Sequence, residues 1–227
     1  MREKIVILGT AHRLREPGKM SPDGKLREAV WSREIVLELM QKLKEYGITT
    51  YVDFTDFDLP KTMQTPSARL ERQRELALRV NEVNSLCDRY GKKNCLYVSI
   101  HINAAGSDGK WHDANGWQVC VSKEASHFSK ILAEKLFDKA VEHVDRTRQP
   151  LPTKKYWEQS LYVLNRTYCP AVLTENLFMD NKKDAEWLLS DEGKHEIERL
   201  HLEGILEYIK ELTTMELLDN VTSCSAG

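Results

Sequence analysis

Short apolar runs alternate with longer stretches of helical spacing along most of this chain. Residues 4–11, 48–54, 95–100, 117–122 and 171–174 are β-rich and of strand length. Between them, Val36, Leu39, Met40 and Leu43 repeat at helical spacing over about 28–46, and Gly47 stops that helix. Thr65-Pro66 opens a charged segment reaching about Tyr90 that reads as a long surface helix. Phe128, Ile131, Leu132, Leu136 and Ala140 mark another amphipathic helix, and two more follow over about 181–190 and 194–212. Residues 13–27, 104–115 and 146–159 read as loops, and 161–164 as a short apolar run. Strands alternating with helices predict an α/β fold: one domain over residues 1–212, with a mostly parallel twisted sheet and helices on both faces. Residues 213–227 lack a pattern and are expected to form a poorly ordered tail or linker.

The bulk composition narrows the function classes. The chain has 227 residues, 41% hydrophobic and 30% charged, enough for one well-buried core. A net charge of −2 disfavours nucleic acid or a polybasic membrane surface as partner. No stretch is long and apolar enough to suggest a membrane span. Five scattered cysteines without a CxxC pair argue against a disulfide scaffold or zinc ribbon, and Cys95, Cys120 and Cys169 read as buried thiols. The start lacks the long apolar core of a signal peptide. The expected source is therefore cytosolic or phage-borne, or a mature form whose export segment has been removed.

Two of the runs lead into histidines, His12 and His101, and a third ends in Glu175. Ligands of open α/β sheets bind beyond the carboxyl ends of the strands. Two imidazoles and a carboxylate at that edge point to a metal centre. A catalytic zinc site uses three protein ligands and leaves one position open. The third ligand beside His12 and His101 is then a carboxylate, with Glu16, Glu28 and Glu34 as candidates. Spacing gives Glu28, which opens the first long helix, a modest edge. His112, His127, His143, His195 and His201 fall in a loop or on polar helix positions and are expected to face solvent.

At these residues the chain resembles the zinc-dependent N-acetylmuramoyl-L-alanine amidases often called amidase type 3. The resemblance runs in order from about residue 4 to 212. Thr10-Ala11-His12-Arg13 stands at the family's Gly-His-Gly-Gly motif and Glu28-Ala29-Val30-Trp31-Ser32 at its Glu-x-x-x-Asn. Leu76, Arg79 and Asn84 match its next helix, and Ser99-Ile100-His101-Ile102-Asn103-Ala104 its Ser-Ile-His-Ala-Asn-Ala block. Val163-Leu164 and then 170–181, containing Glu175, match its closing signature. The resemblance implies one zinc ion bound by His12, Glu28 and His101, with Glu175 as the catalytic carboxylate. Asn103, two residues past His101, is read as a substrate-binding donor, with bracing of its loop as the alternative. The implied reaction cleaves the amide between the lactyl group of N-acetylmuramic acid and L-alanine in peptidoglycan, so the site of action is the cell wall. A wall-targeting domain or a protein activator outside this chain is an expected partner. Two departures are visible: Ala11, Arg13 and Leu14 replace glycines around His12, and Asn176 and Leu177 stand where a small glycine is usual after the catalytic Glu. Another zinc peptidase on the same fold and an inactive wall-binding or regulatory module are the alternatives.

Overall fold

Alternation along each strand sorts the apolar side chains onto two faces and so creates two cores. The computed structural model describes residues 3–224, with side chains to 218. One sheet contains β1 (Ile5–Gly9), β2 (Thr49–Val52), β3 (Cys95–Asn103), β4 (Gln118–Val121), β5 (Trp157–Glu158) and β6 (Ala171–Phe178), in the order β2-β1-β3-β6-β4-β5. The first four in that order run parallel; β4 is antiparallel to β6, and β5 follows β4 in parallel. On one face Val6, Leu8, Val98, Ile100 and Val119 pack with α1 (Glu28–Glu45), α3 (His127–His143) and α6 (Asp191–Cys224). On the other, Ile7, Tyr97, Cys120 and Leu173 pack with α2 (Ala68–Tyr90) and α4 (Tyr162–Arg166). The remaining helix, α5 (Lys182–Leu189), leads into α6. The mostly parallel α/β architecture is as expected from the periodicity.

Local chemistry sets the element ends. The Ser67 and Ser126 hydroxyls accept the backbone N–H groups of Leu70 and Ser129 at the starts of α2 and α3. Gly91 ends α2 at φ 87°.

Some expectations change. The run 161–164 is helical, not extended: Val163 and Leu164 dock one short turn of α4 into the core. Two-residue β5 lies inside the expected loop 146–159, too short for any alternation to show. Strand β3 continues past His101 to Asn103, with a register shift between them that bends the strand at the histidine. The last helix does not stop near 212 but continues to Cys224, through exposed Glu216, Leu217 and Leu218 whose polarity pattern carries no amphipathic signal. The rest of the expected tail, 225–227, lies outside the described residues. Among the described residues, no helix is long and apolar enough to cross a membrane. Cys87, Cys95, Cys120 and Cys169 are buried free thiols.

Two histidines expected at the surface are inside. The His143 side chain sits between Glu196 and Glu203. His201 is wholly buried, with Nε2 2.9 Å from Thr174 Oγ1 and Nδ1 2.7 Å from the Ile197 carbonyl. Helical spacing alone put both on polar positions; the packing of α3 against α6, and of α6 on the sheet, encloses them. Burial pushes the His201 imidazole from 6.5 down to about 4. Its neutral form therefore stabilises the fold above pH 6.5, and that stability is lost as pH falls toward 4. Urea denaturation is expected to show His201→Gln losing about 2 kcal/mol less than the native chain between pH 7 and pH 5. Parallel pH profiles for the two proteins would remove His201 as the cause.

Candidate metal centre

Glu28 reaches the strand ends because the preceding loop doubles back. Met20 and Arg27 form an antiparallel bridge, and the Glu28 N–H donates to the Lys19 carbonyl at 3.1 Å, so α1 begins directly over the sheet edge. The Glu28 carboxylate is fully buried. Its Oε1 accepts the Ile102 N–H at 3.1 Å and lies 3.1 Å from His101 Nδ1; its Oε2 is 3.5 Å from His12 Nε2 and 3.7 Å from Lys19 Nζ. The two imidazoles meet edge to face, with centroids 5.1 Å apart and planes at 89°. One ligand atom from each of His12, Glu28 and His101 lies within 4.8 Å of the others. Glu28 Oε2 is buried without a hydrogen bond. An orphaned carboxylate oxygen facing an imidazole is costly unless a cation completes it. Two nitrogens and one oxygen are the donor set of a divalent transition metal such as zinc.

The protonation states suit that role, because metal ligands must be deprotonated. Burial pushes the His12 imidazole from 6.5 down to about 3, against the opposing pull of Glu28. Burial also pushes the Glu28 carboxyl upward, but His12, the hydrogen bond from His101 and Lys19 outweigh it and hold the group below its ordinary value. At neutral pH the cluster is thus a carboxylate beside a neutral His12.

His12 lies three residues beyond β1 in the left-handed region, at φ 45°, where a non-glycine residue is strained. Two arginines pin it there. Arg33 donates to the Ala11 and His12 carbonyls at 3.0 and 3.1 Å, and Arg79 donates to the His12 carbonyl at 3.3 Å. Arg79 is held in turn by Asp53 at 3.0 Å and Glu75 at 2.9 Å. Asp53 also accepts the Thr10 N–H at 3.0 Å and the Tyr97 hydroxyl at 2.8 Å. Gly9 leaves the space for that hydroxyl, which a Cβ would overlap. The motif resemblance picks out Arg79, but Arg33 and Asp53 escape it. The available signal for Asp53 was a carboxylate directly after strand β2.

The competing carboxylates are engaged elsewhere. Glu16 is buried within its loop, where it pairs with Arg13 and Arg72. Glu34 is exposed on α1 and pairs with Lys194 at 2.7 Å.

Glu175 is the cross-strand partner of His101 in parallel β6 and of Gln118 in antiparallel β4. Paired residues face the same side of a sheet, so Glu175 stands beside the histidine, inside its strand rather than at the end. Burial, with the Glu28 carboxylate adding to it, pushes Glu175 from 4.5 up to about 8. Beyond it Leu177 adopts φ 63°. Asn176 explains how the strand holds this shape: its Nδ2 donates to the His101 carbonyl at 2.8 Å, and its Oδ1 accepts the Trp117 indole N–H at 2.7 Å. The Asn103 side-chain Oδ1 accepts the Ala104 N–H at 2.9 Å, bracing its own loop.

A family model described as N-acetylmuramoyl-L-alanine amidase matches residues 6–207. The endolysin of Bacillus phage SPP1 is 27% identical over 210 residues, covering 91% of this chain and 66% of that protein. The N-acetylmuramoyl-L-alanine amidase CwlM of Bacillus licheniformis is 29% identical over 142 residues, covering 63% of this chain and 51% of that protein. The chain thus spans less than two thirds of the length of these curated relatives. Among solved structures, the CwlD amidase of Clostridioides difficile, determined in complex with the GerS lipoprotein, shares the fold. Its TM-score is 0.76 at 23% identity, over 92% of this chain and 99% of that one.

Replacing Arg79 by Met would leave buried Asp53 with only neutral donors and Glu75 with Arg13 alone, at 3.4 Å. Arg79→Met is expected to cost about 3–5 kcal/mol in chemical denaturation. A loss below about 1 kcal/mol would show that the His12 turn is held by other means.

Proposed function

Because the chain belongs to the N-acetylmuramoyl-L-alanine amidase family, we propose that it hydrolyses the amide joining the lactyl group of N-acetylmuramic acid to L-alanine in peptidoglycan. In this reading residues 1–212 form the catalytic unit and one zinc ion is held by His12, Glu28 and His101. The observation that carries it is the buried Glu28 Oε2, which has no hydrogen bond and faces His12 in a cluster completed by His101. Zinc bound there supplies Lewis-acid polarisation of a carbonyl and a lowered pKa for water.

The protein's own groups do the rest. Glu28 and the clamped His12 present a rigid set of donors, because neither can move without breaking buried hydrogen bonds. Glu175 exchanges its proton near neutral pH, as an acid–base group must. It accepts a proton from the attacking water at its carboxylate and passes that proton to the L-alanine nitrogen as the carbon–nitrogen bond breaks. Asn103 lines the adjoining groove, where its amide nitrogen serves as a donor to substrate. The cell wall is the site of action. A wall-targeting or activating protein is the expected partner, a role supported by the solved complex of the CwlD amidase with the GerS lipoprotein.

Digestion of purified peptidoglycan is expected to release peptides with free L-alanine amino ends, seen by mass spectrometry, while unmodified peptides stay intact. Cleavage of the unmodified peptides would point to a general peptidase. Metal analysis is expected to find about one zinc per chain. Glu175→Gln should keep that zinc but turn over about 10²–10⁴-fold more slowly; near-native turnover would take Glu175 out of the reaction. His101→Ala should lose both zinc and activity, and full zinc retention would place the ligands elsewhere.

A further inference from the structure

Next to Glu175 the sheet edge opens into a groove of about 430 Å³, lined by Asn103, Gln118, Arg148, Trp157, Gln159 and Phe178 among others. Gln118 is the cross-strand partner of Glu175, and Phe178 that of Asn103. The groove therefore lies beside the strand that carries the proposed catalytic carboxylate and extends across β4 to β5, where Trp157 stands opposite Cys120. Arg148 is fixed in it by backbone and ring: its N–H donates to the Trp117 carbonyl at 2.7 Å, and its guanidinium carbon lies 4.9 Å from the Phe178 ring centre.

Stacking occupies the face of a guanidinium and leaves its N–H edge available for bidentate bonding. Among the described residues that edge has no carboxylate and no hydrogen-bond acceptor. Beside it, Gln118 Nε2 reaches only the Cys120 sulfur, at 4.0 Å. The contrast with the opposite side of the site is sharp. There Arg13 and Arg79 pair with carboxylates, and Arg33 binds backbone carbonyls. A half-buried, pre-positioned and unpaired guanidinium in a groove calls for an anionic group on the ligand.

The amidase reading, on which this inference rests, limits where that anion can come from. The sugar strand at the scissile bond is neutral, whereas the peptide carries carboxylates; where the second residue is joined onward through its side-chain carboxyl, the first beyond L-alanine is that residue's free α-carboxylate. We propose that Arg148, assisted by Gln118, binds this carboxylate. Arg148 is then a specificity residue for peptides acidic at that position. It also sets the direction of the substrate: the peptide runs from Glu175 over β4 toward β5, with the glycan on the β1 side.

The test uses two muramoyl tripeptides that differ only in whether the second residue carries a free α-carboxylate or its amide. The native enzyme is expected to favour the acid by more than about tenfold in kcat/KM. Arg148→Gln should slow the acid about thirtyfold and change the amide less than about threefold, with Arg148→Lys between. Melting temperature and metal content should stay native. Equal use of both compounds by the native enzyme, or equal slowing of both by Arg148→Gln, would overturn the assignment. Calorimetric binding of the two free tripeptides separates this idea from the amidase reading. If the native protein hydrolyses neither muramoyl compound, the amidase reading fails. Arg148 is still upheld if the acid binds tighter and Arg148→Gln abolishes that preference, and refuted if the two bind alike.

Discussion

A fully buried carboxylate is the constraint around which this molecule is organised. Removing an ionised group from water is expensive, and the expense is tolerated only where the surroundings restore what water supplied. Glu28 recovers part of it from the Ile102 N–H and from His101, and part from the positive field of Lys19. One oxygen is left over, facing His12. That remainder is what fits Glu28 to hold a cation. It also explains the local architecture: the doubled-back loop from Lys19 to Glu28 exists to bring the first residue of α1 over the ends of β1 and β3.

The same economy governs the strained backbone around the site. His12 and Leu177 both take left-handed φ values that a glycine would adopt freely. His12 is held by side chains from α1 and α2, and Leu177 by its neighbour in sequence. Arg33 and Arg79 grip the His12 carbonyl, and Asn176 ties the strand to His101 and to Trp117. The His12 turn therefore depends on a buried network that joins Asp53 to Arg79 and Glu75 of α2. Rigidity at the candidate ligand His12 is the return, since its turn has few alternative conformations once the network is formed.

The sheet separates support from chemistry. Its two faces are filled by distinct apolar clusters, one under α1, α3 and α6, the other under α2 and α4. The candidate site's side chains gather where those coverings end, just beyond β1, late in β3 and within β6. The reversal of β4 matters here. An antiparallel neighbour brings the first residue of a strand, Gln118, against Glu175, and opens a polar groove where a parallel strand would have continued the core.

Much of this was legible in the chain itself. Strand-length apolar runs, a helix opening at Glu28 and the order of His12, His101 and Glu175 follow from local pattern, because alternation and helical spacing are properties of neighbours in sequence. The resemblance of motifs then singled out Glu28, which spacing could only favour slightly. What local pattern could not reveal were facts about distance through space. The burial of His201 and Glu16, the helical form of 161–164, the two-residue β5, and the pairing of Arg79 with Asp53 depend on which elements pack together. So does the unpaired state of Arg148. Hydrophobic periodicity states which side of an element is covered, but only the assembled sheet decides what covers it and which charges are left without a partner.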